Sequence, residues 1–197
     1  YRSVADRALV PFVSAARALG LSPNGVSVIA FLLAVAAGVV YAFVGRTQLL
    51  YLAGALLVFF NGWLDIVDGA LARELDVASA CGDLLDHVLD RYADIVIIVG
   101  LAAGLERWVL GVAAVTGVLM TSYLGTQSQA VGLDRVYGGL LGRADRLALV
   151  GLTTGVAAFV NPELLGLTLV GWLLVVFAVV GHLTALQRFY YAMQALD

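Results

Sequence analysis

Four aspartates lie within apolar stretches that are long enough to cross a membrane. Asp65 and Asp68 stand near the end of one stretch, and Asp86 and Asp90 stand near the start of the next. An ionised carboxylate at the centre of a bilayer costs roughly 2.5–3.5 kcal/mol on insertion scales. Such side chains are therefore expected to face the interior of a helix bundle and to hold a positively charged group. A chain that keeps them must fold so that these two stretches face each other.

The composition is typical of an integral membrane protein. The chain is 62% hydrophobic and 13% charged, which is about half of the charged fraction of an average soluble domain. Its 197 residues suit a single domain. The net charge of −3 argues neither for nor against a nucleic-acid partner, but no basic tail supports one, so none is expected. The single cysteine excludes an intramolecular disulfide bond.

Hydropathy predicts an all-α fold in which residues 1–197 form one membrane domain with six transmembrane helices. Residues 1–20 carry an apolar stripe and are expected to form an amphipathic interfacial helix. Residues 131–146 are expected to form a surface loop or a short interfacial helix. The six spans are expected near residues 25–45, 48–71, 82–105, 108–130, 146–161 and 164–186.

The arginines predict how the chain crosses the membrane. If the N-terminus is cytoplasmic, eight arginines lie on the cytoplasmic side, and Arg46 and Arg107 lie on the outer side. This excess follows the positive-inside rule. We therefore expect a multi-pass protein of the cell membrane, with both termini and the four aspartates facing the cytoplasm.

Helical spacing indicates what the aspartates do. Asp65 and Asp68 share one face of the second span, and Asp86 and Asp90 share one face of the third. Two antiparallel helices with a short connection would bring the four carboxylates together, where they repel each other without a cation. Oxygen ligands favour Mg²⁺, Mn²⁺ or Ca²⁺. The sequence therefore predicts a divalent metal site.

Small and basic residues near the aspartates indicate a phosphate ester as ligand. Gly69, Gly82 and Ala72 leave room for a substrate close to the backbone. The planar guanidinium group of Arg73 suits phosphate oxygens. Metals held by carboxylates beside such a pocket favour chemistry at phosphorus. The alternative from another class is an ion-coupled transporter that uses the intramembrane carboxylates as a cation path.

The spacing of these residues resembles the signature of the CDP-alcohol phosphotransferase family. Asp65, Asp68, Gly69, Ala72 and Arg73 are followed, after eight residues, by Gly82, Asp86 and Asp90. The resemblance extends over the whole chain. It implies an enzyme in which an acceptor hydroxyl attacks the β-phosphorus of a CDP-linked lipid and CMP leaves.

The resemblance also implies roles for the residues. Asp65, Asp68, Asp86 and Asp90 would hold two divalent cations, Mg²⁺ or Mn²⁺, and Asp90 would take the proton from the acceptor. The CDP group would contact Asp65 and Asp68 and the small and basic residues of the signature. Those residues are Gly69, Ala72, Arg73 and Gly82. A homodimer is expected on the same ground.

The acceptor is expected to carry its own phosphate. Ser122 near the end of the fourth span, with Arg143 and Arg146 further on, resembles the inositol-phosphate branch of the family. These residues, with Arg135, are the candidates for binding the acceptor phosphate. We therefore expect transfer from CDP-archaeol or CDP-diacylglycerol to inositol phosphate in phospholipid biosynthesis. Glycerol 3-phosphate is the alternative acceptor, and lipid headgroups are the alternative partners of these arginines.

Overall fold

The computed structural model describes residues 4–77, 79–133 and 141–196, which form a helical bundle. This confirms the predicted all-α class, apart from one small hairpin between Glu163–Leu164 and Leu167–Thr168. A short 3₁₀ helix covers Val44–Arg46. The α-helices of the described ranges are α1 (Val4–Ala18), α2 (Pro23–Ala42), α3 (Leu49–Leu75), α4 (Ala80–Gly104), α5 (Trp108–Ala130), α6 (Arg143–Ala157) and α7 (Leu169–Leu196).

Serine caps fix where two helices begin. Ser22 stands before α2, and its hydroxyl accepts a hydrogen bond of 3.1 Å from the backbone N–H of Gly25. Ser79 does the same before α4, where Gly82 N–H donates at 3.1 Å. Each cap satisfies an N–H group that has no partner within its helix. The second cap places the start of α4 beside the end of α3.

Four of the described helices are long and apolar enough to cross a membrane. They are α2 with the following 3₁₀ turn, α3, α5 and α7. Helix α4 is also long, but it carries four aspartates and an arginine. Helix α6 has 15 residues, so it spans only about 22 Å. The protein is thus a multi-pass membrane protein, and six full crossings remain a prediction.

Two predicted boundaries were wrong. The last span was expected from residue 164, but the chain forms the hairpin there and α7 begins only at Leu169. Residues 131–146 were expected to form a surface loop or a short interfacial helix before a span from residue 146, but α6 already begins at Arg143. Arg143 and Arg146 lie in its first turns, and their side chains are largely buried. Ion pairs with aspartates of α3 and α4 account for this burial.

Glycines allow the central helices to approach closely. A Cβ atom on Gly38 of α2 would lie 2.5 Å from the carbonyl oxygen of Val96 in α4, and one on Gly100 would collide with the Gly38 backbone. Gly117 of α5 and Gly181 of α7 face each other in the same manner. Small residues are common at helix contacts in membranes because they let backbones touch. These contacts fix α4 against α2, and α5 against α7.

Helix α1 packs against α3 through its apolar stripe. Leu9 and Val13 are buried in one cluster with Val67 and Leu71 of α3. Phe12 packs edge-on against Trp63, with 5.1 Å between the ring centroids. The amphipathic character expected of this segment is therefore present, and its apolar side covers the helix that carries Asp65 and Asp68.

Helix α6 is joined to the bundle by a buried hydrogen bond. The hydroxyl groups of Tyr41 in α2 and Thr154 in α6 lie 2.9 Å apart, and both side chains are fully buried. Helix α6 also packs along α3. This position brings the N-terminal turns of α6 close to the aspartates of α3 and α4.

Candidate active site

Three aspartates converge between α3 and α4. Asp65, Asp68 and Asp86 each offer a carboxylate oxygen, and these oxygens all lie within 4.8 Å of one another. Asp65 and Asp68 are one helical turn apart on α3, while Asp86 comes from the first turns of α4. We call these three residues the acidic triad. The structure thus brings together the two helix faces that the spacing predicted.

The acidic triad fits a divalent cation. Ser27 of α2 donates a hydrogen bond of 2.5 Å to Asp68. No arginine that the structure describes forms an ion pair with Asp68 or Asp86. Carboxylates so close together repel each other unless a positive charge lies between them. An all-oxygen ligand set favours a hard cation such as Mg²⁺ or Mn²⁺.

Asp90, the fourth predicted ligand, has a different environment. Its Oδ1 atom accepts from Nη2 of Arg143 at 2.7 Å, and the other Nη of Arg143 donates to Asp65. Arg143 thus connects the acidic triad with Asp90. Arg91, the residue after Asp90, places its Nη2 atom 3.7 Å from the Oδ2 atom of Asp90.

The ion pairs continue along α4 as one alternating series. Nη2 of Arg91 lies 3.9 Å from Oδ2 of Asp94, and the same oxygen accepts from Nη2 of Arg146 at 2.7 Å. Three carboxylates and three guanidinium groups therefore alternate, so their charges balance. We call this series the charge row. In order, it contains Asp65, Arg143, Asp90, Arg91, Asp94 and Arg146.

A cavity of about 400 Å³ lies beside the acidic triad, between α2, α3 and α4. Gly69, Ala72 and Gly82 line it together with Asp68 and Asp86, and we call it the Gly69 cavity. A Cβ atom on Gly69 would have only Arg73 Nη1 near it, at 3.5 Å, so this glycine faces open space. The predicted small residues are thus gathered around one space next to the acidic triad.

A second cavity of about 530 Å³ lies between α4 and α5. Arg91 and Ser122 line it with Tyr123 and His87, and we call it the Ser122 cavity. Arg91 also donates a hydrogen bond to the Ser122 hydroxyl. The two cavities use different faces of α4, and the Ser122 cavity is connected with Asp90 through Arg91.

Three of the four predicted acceptor residues are linked in the structure. Arg143 and Arg146 belong to the charge row, and Ser122 joins it through Arg91. Arg135 lies outside the described residues. Arg146 is buried to 5% exposure, and its Nη1 also donates to the Leu141 carbonyl oxygen at 3.3 Å.

Sequence reasoning missed several polar residues around the site. Ser27 comes from the first turns of α2, and nothing in its sequence spacing connects it with Asp68. Asn61, only 1% exposed, lies one turn before Asp65, and its side-chain amide donates a hydrogen bond of 2.9 Å to the carbonyl oxygen of Ala30. Arg91 offered a signal, because it is an arginine within a span between two aspartates. Arg188 of α7 donates a hydrogen bond of 2.6 Å to the carbonyl oxygen of Thr121, the residue before Ser122.

Comparison with known proteins identifies the family. Residues 20–184 match the family model of CDP-alcohol phosphatidyltransferases. The archaetidylinositol phosphate synthase of Pyrococcus horikoshii is 32% identical over 180 residues, which cover 91% of this chain and 87% of that protein. The chain therefore belongs to the CDP-alcohol phosphatidyltransferase family, and it is a transferase.

Two solved structures of Mycobacterium tuberculosis phosphatidylinositol phosphate synthase share the fold. The one with CDP-DAG bound gives a TM-score of 0.79 at 27% identity, and the match covers 94% of each chain. The one in complex with manganese and citrate gives a TM-score of 0.81 at 25% identity, covering 94% of this chain and 88% of that chain. The predicted family and reaction class are confirmed, and the transporter alternative is not favoured.

Proposed function

We propose that this protein transfers a lipid-phosphate group from a CDP-activated lipid to inositol phosphate and releases CMP. The observation that carries the proposal is the acidic triad beside the Gly69 cavity, with a second cavity on another face of α4 whose Arg91 reaches Asp90. The printed functions of the archaeal and mycobacterial relatives support the same substrates. The donor is CDP-archaeol or CDP-diacylglycerol.

The donor occupies the Gly69 cavity in this proposal. Gly69, Ala72 and Gly82 leave the space for the cytidine diphosphate, and Arg73 binds phosphate oxygens with its guanidinium group. The acidic triad would hold Mg²⁺ or Mn²⁺, and a second ion would use Asp90. When bound, such ions neutralise the diphosphate and the charge that develops on the departing CMP.

The acceptor approaches from the side of Asp90 and the charge row. Its hydroxyl oxygen forms the new bond to the β-phosphorus, while the bond from that phosphorus to CMP breaks. The carboxylate of Asp90 takes the hydroxyl proton. Arg143, Arg146 and Ser122 bind the acceptor phosphate, together with Arg135. Because Arg143 pairs with both Asp65 and Asp90, an acceptor phosphate would compete with these carboxylates for its guanidinium group.

Asp90→Asn tests the role of the base. The amide keeps the size of the side chain but cannot accept the proton, so we expect turnover to fall by roughly 10²–10⁴-fold. Binding of the CDP-lipid, measured by calorimetry in detergent, should change little. Wild-type rates of CMP release would remove Asp90 from this role.

The membrane arrangement is part of the proposal. We infer six crossings, with α4 and α6 shielded from lipid by the other helices, and with both termini and the active site in the cytoplasm. The arginine distribution supports this orientation. The assembly is expected to be a homodimer. Labelling of single cysteines introduced near residues 46 and 188, from one side of sealed vesicles, tests the orientation.

An acceptor screen tests the proposed substrates. Purified protein receives CDP-archaeol or CDP-diacylglycerol with inositol 1-phosphate, inositol, glycerol 3-phosphate or serine, and CMP release is measured with and without Mn²⁺ or Mg²⁺. We expect metal-dependent release with inositol 1-phosphate. Preference for glycerol 3-phosphate would support the alternative acceptor, which also carries a phosphate. Metal-independent release would contradict the role of the acidic triad.

A further inference from the structure

Asp94 is a buried carboxylate that the family signature does not include. It lies one helical turn after Asp90 on α4 and is only 5% exposed. Its neighbours on the helix, Ala93 and Ile97, belong to the apolar core. A charged group in such surroundings persists only where partners compensate for its lost hydration. The partners of Asp94 therefore indicate why it is there.

One oxygen of Asp94 serves two arginines from different helices. Oδ2 accepts from Nη2 of Arg146 in α6 at 2.7 Å and lies 3.9 Å from Nη2 of Arg91 in α4. Arg146 is held at its other end by the carbonyl of Leu141. Displacing this carboxylate would therefore remove a hydrogen bond from Arg146 and a nearby negative charge from Arg91.

Arg91 connects Asp94 with Asp90 and Ser122. Its Nη2 atom lies 3.7 Å from Asp90, and its Nη1 atom donates to Ser122 at the Ser122 cavity. A guanidinium group is planar, so fixing one of its nitrogens restricts the direction of the others. The charge of Asp94 thus acts on the same guanidinium group that meets Asp90 and Ser122.

We propose that Asp94 is a positioning residue for the acceptor side of the site. It holds the guanidinium groups of Arg91 and Arg146 so that they face a phosphorylated acceptor next to Asp90. The proposal rests on the proposed function, because it needs an acceptor that carries a phosphate. It assigns Asp94 no contact with the donor, since the α4 residues that line the Gly69 cavity end at Asp86, about two turns before Asp94.

Asp94→Asn and Asp94→Glu test the proposal, with Asp76→Asn as the matched control. Asp76 ends α3 in a left-handed conformation that asparagine also adopts, and its side chain is exposed. Asp94→Asn removes the charge at nearly constant volume. Asp94→Glu keeps the charge but moves it by one methylene group.

Steady-state kinetics separate positioning from folding. For both Asp94 variants we expect the KM for the acceptor to rise about 10–100-fold, the effect of losing a hydrogen bond to a charged group. The KM for the CDP-lipid should stay within about two-fold. Asp76→Asn should match the wild type in both. A loss of folded enzyme with an unchanged acceptor KM would show a purely structural role and overturn the proposal.

Two further outcomes are distinguishable. If Asp94→Asn does not fold, Asp94→Glu decides, and a wild-type acceptor KM in that variant overturns the proposal. If the wild type prefers glycerol 3-phosphate, the proposed acceptor fails, but the Asp94 variants are then measured with that acceptor. A raised KM for it still supports the positioning role, and an unchanged KM rejects it.

Discussion

The Gly69 cavity and the charge row both include residues of α4, but the carboxylates in the two regions have different partners. Asp68 and Asp86 border the Gly69 cavity, and no described arginine pairs with them. Asp90 and Asp94 of the charge row each contact two guanidinium groups. Carboxylates without a protein cation are available to a metal, whereas paired carboxylates orient the arginines beside them. The same residue type therefore performs two tasks a few turns apart.

The largest effect is expected at the unpaired carboxylates. Asp86→Asn removes one ligand charge from the acidic triad, so we expect CMP release to fall by roughly 10³-fold. Isothermal titration with Mn²⁺ should show weakened metal binding, while Asp76→Asn binds as the wild type does. Unchanged Mn²⁺ binding by Asp86→Asn would show that the metal binds elsewhere. The carboxylates of the Gly69 cavity would then not differ from those of the charge row in binding a metal.

A smaller effect is expected within the charge row. Arg143→Ala removes the cation that connects Asp65 with Asp90, and we expect the acceptor KM to rise by about 10–100-fold. The donor KM should rise less. Arg17→Ala is a suitable control, since Arg17 pairs with Glu74 at 3.6 Å on the surface. Equal rises in both KM values would mean that Arg143 serves the metal site rather than the acceptor.

A single methyl group tests whether the Gly69 cavity holds the donor. In Gly69→Ala the new Cβ meets only Arg73 Nη1, at 3.5 Å, so the fold has room for it. Alanine also favours a helix over glycine by about 0.8–1.0 kcal/mol. We therefore expect an unchanged or higher Tm and a donor KM about ten-fold higher, because the methyl group occupies substrate space.

Gly151→Ala is the matched control for that substitution. Its Cβ would lie 4.0 Å from the nearest atom, the carbonyl oxygen of Ala55, and away from the cavity. We expect the same gain in helix propensity and a normal donor KM. A normal donor KM in Gly69→Ala as well would remove the CDP group from this cavity.

The smallest effect is expected for Ser27→Ala. Its hydroxyl group donates to Asp68 at 2.5 Å and orients that carboxylate, which the structure leaves without an arginine. Loss of one hydrogen bond to a charged group is worth about 1.5–3 kcal/mol at most. We expect Mn²⁺ affinity to fall about ten-fold, measured by titration, with a lesser fall in turnover. A fall as large as that of Asp86→Asn would make Ser27 a ligand rather than a support.

The spacing along single helices was the part of the site that could be predicted. Asp65 and Asp68 are three residues apart, so a helix places them on one face whatever surrounds it. The same holds for Asp86 and Asp90, and the short connection between α3 and α4 makes the two faces meet. The small residues that line the Gly69 cavity, Gly69, Ala72 and Gly82, could be predicted as well, because they belong to the same two helices.

Contacts between distant helices could not be predicted in the same way. Ser27 meets Asp68 across 41 positions of sequence, and Arg146 meets Asp94 across 52. Arg143 and Arg146 were expected in a surface loop or a short interfacial helix, because their aspartate partners were not evident from the local sequence. The start of α7 was misjudged because a hydropathy window does not distinguish an apolar hairpin from a helix.

The sequence by itself determined the membrane class, the family and the acidic triad, because these depend on hydropathy and on spacing within one or two helices. The tertiary structure decided which carboxylates are paired with arginines and which are not. That distinction depends on where α6 lies: it packs along α3, and the hydrogen bond between Tyr41 and Thr154 joins it to α2, so its first turns meet the aspartates of α4. Helix packing is a property of the whole bundle, so only the folded chain shows that Asp94 joins Arg91 to Arg146.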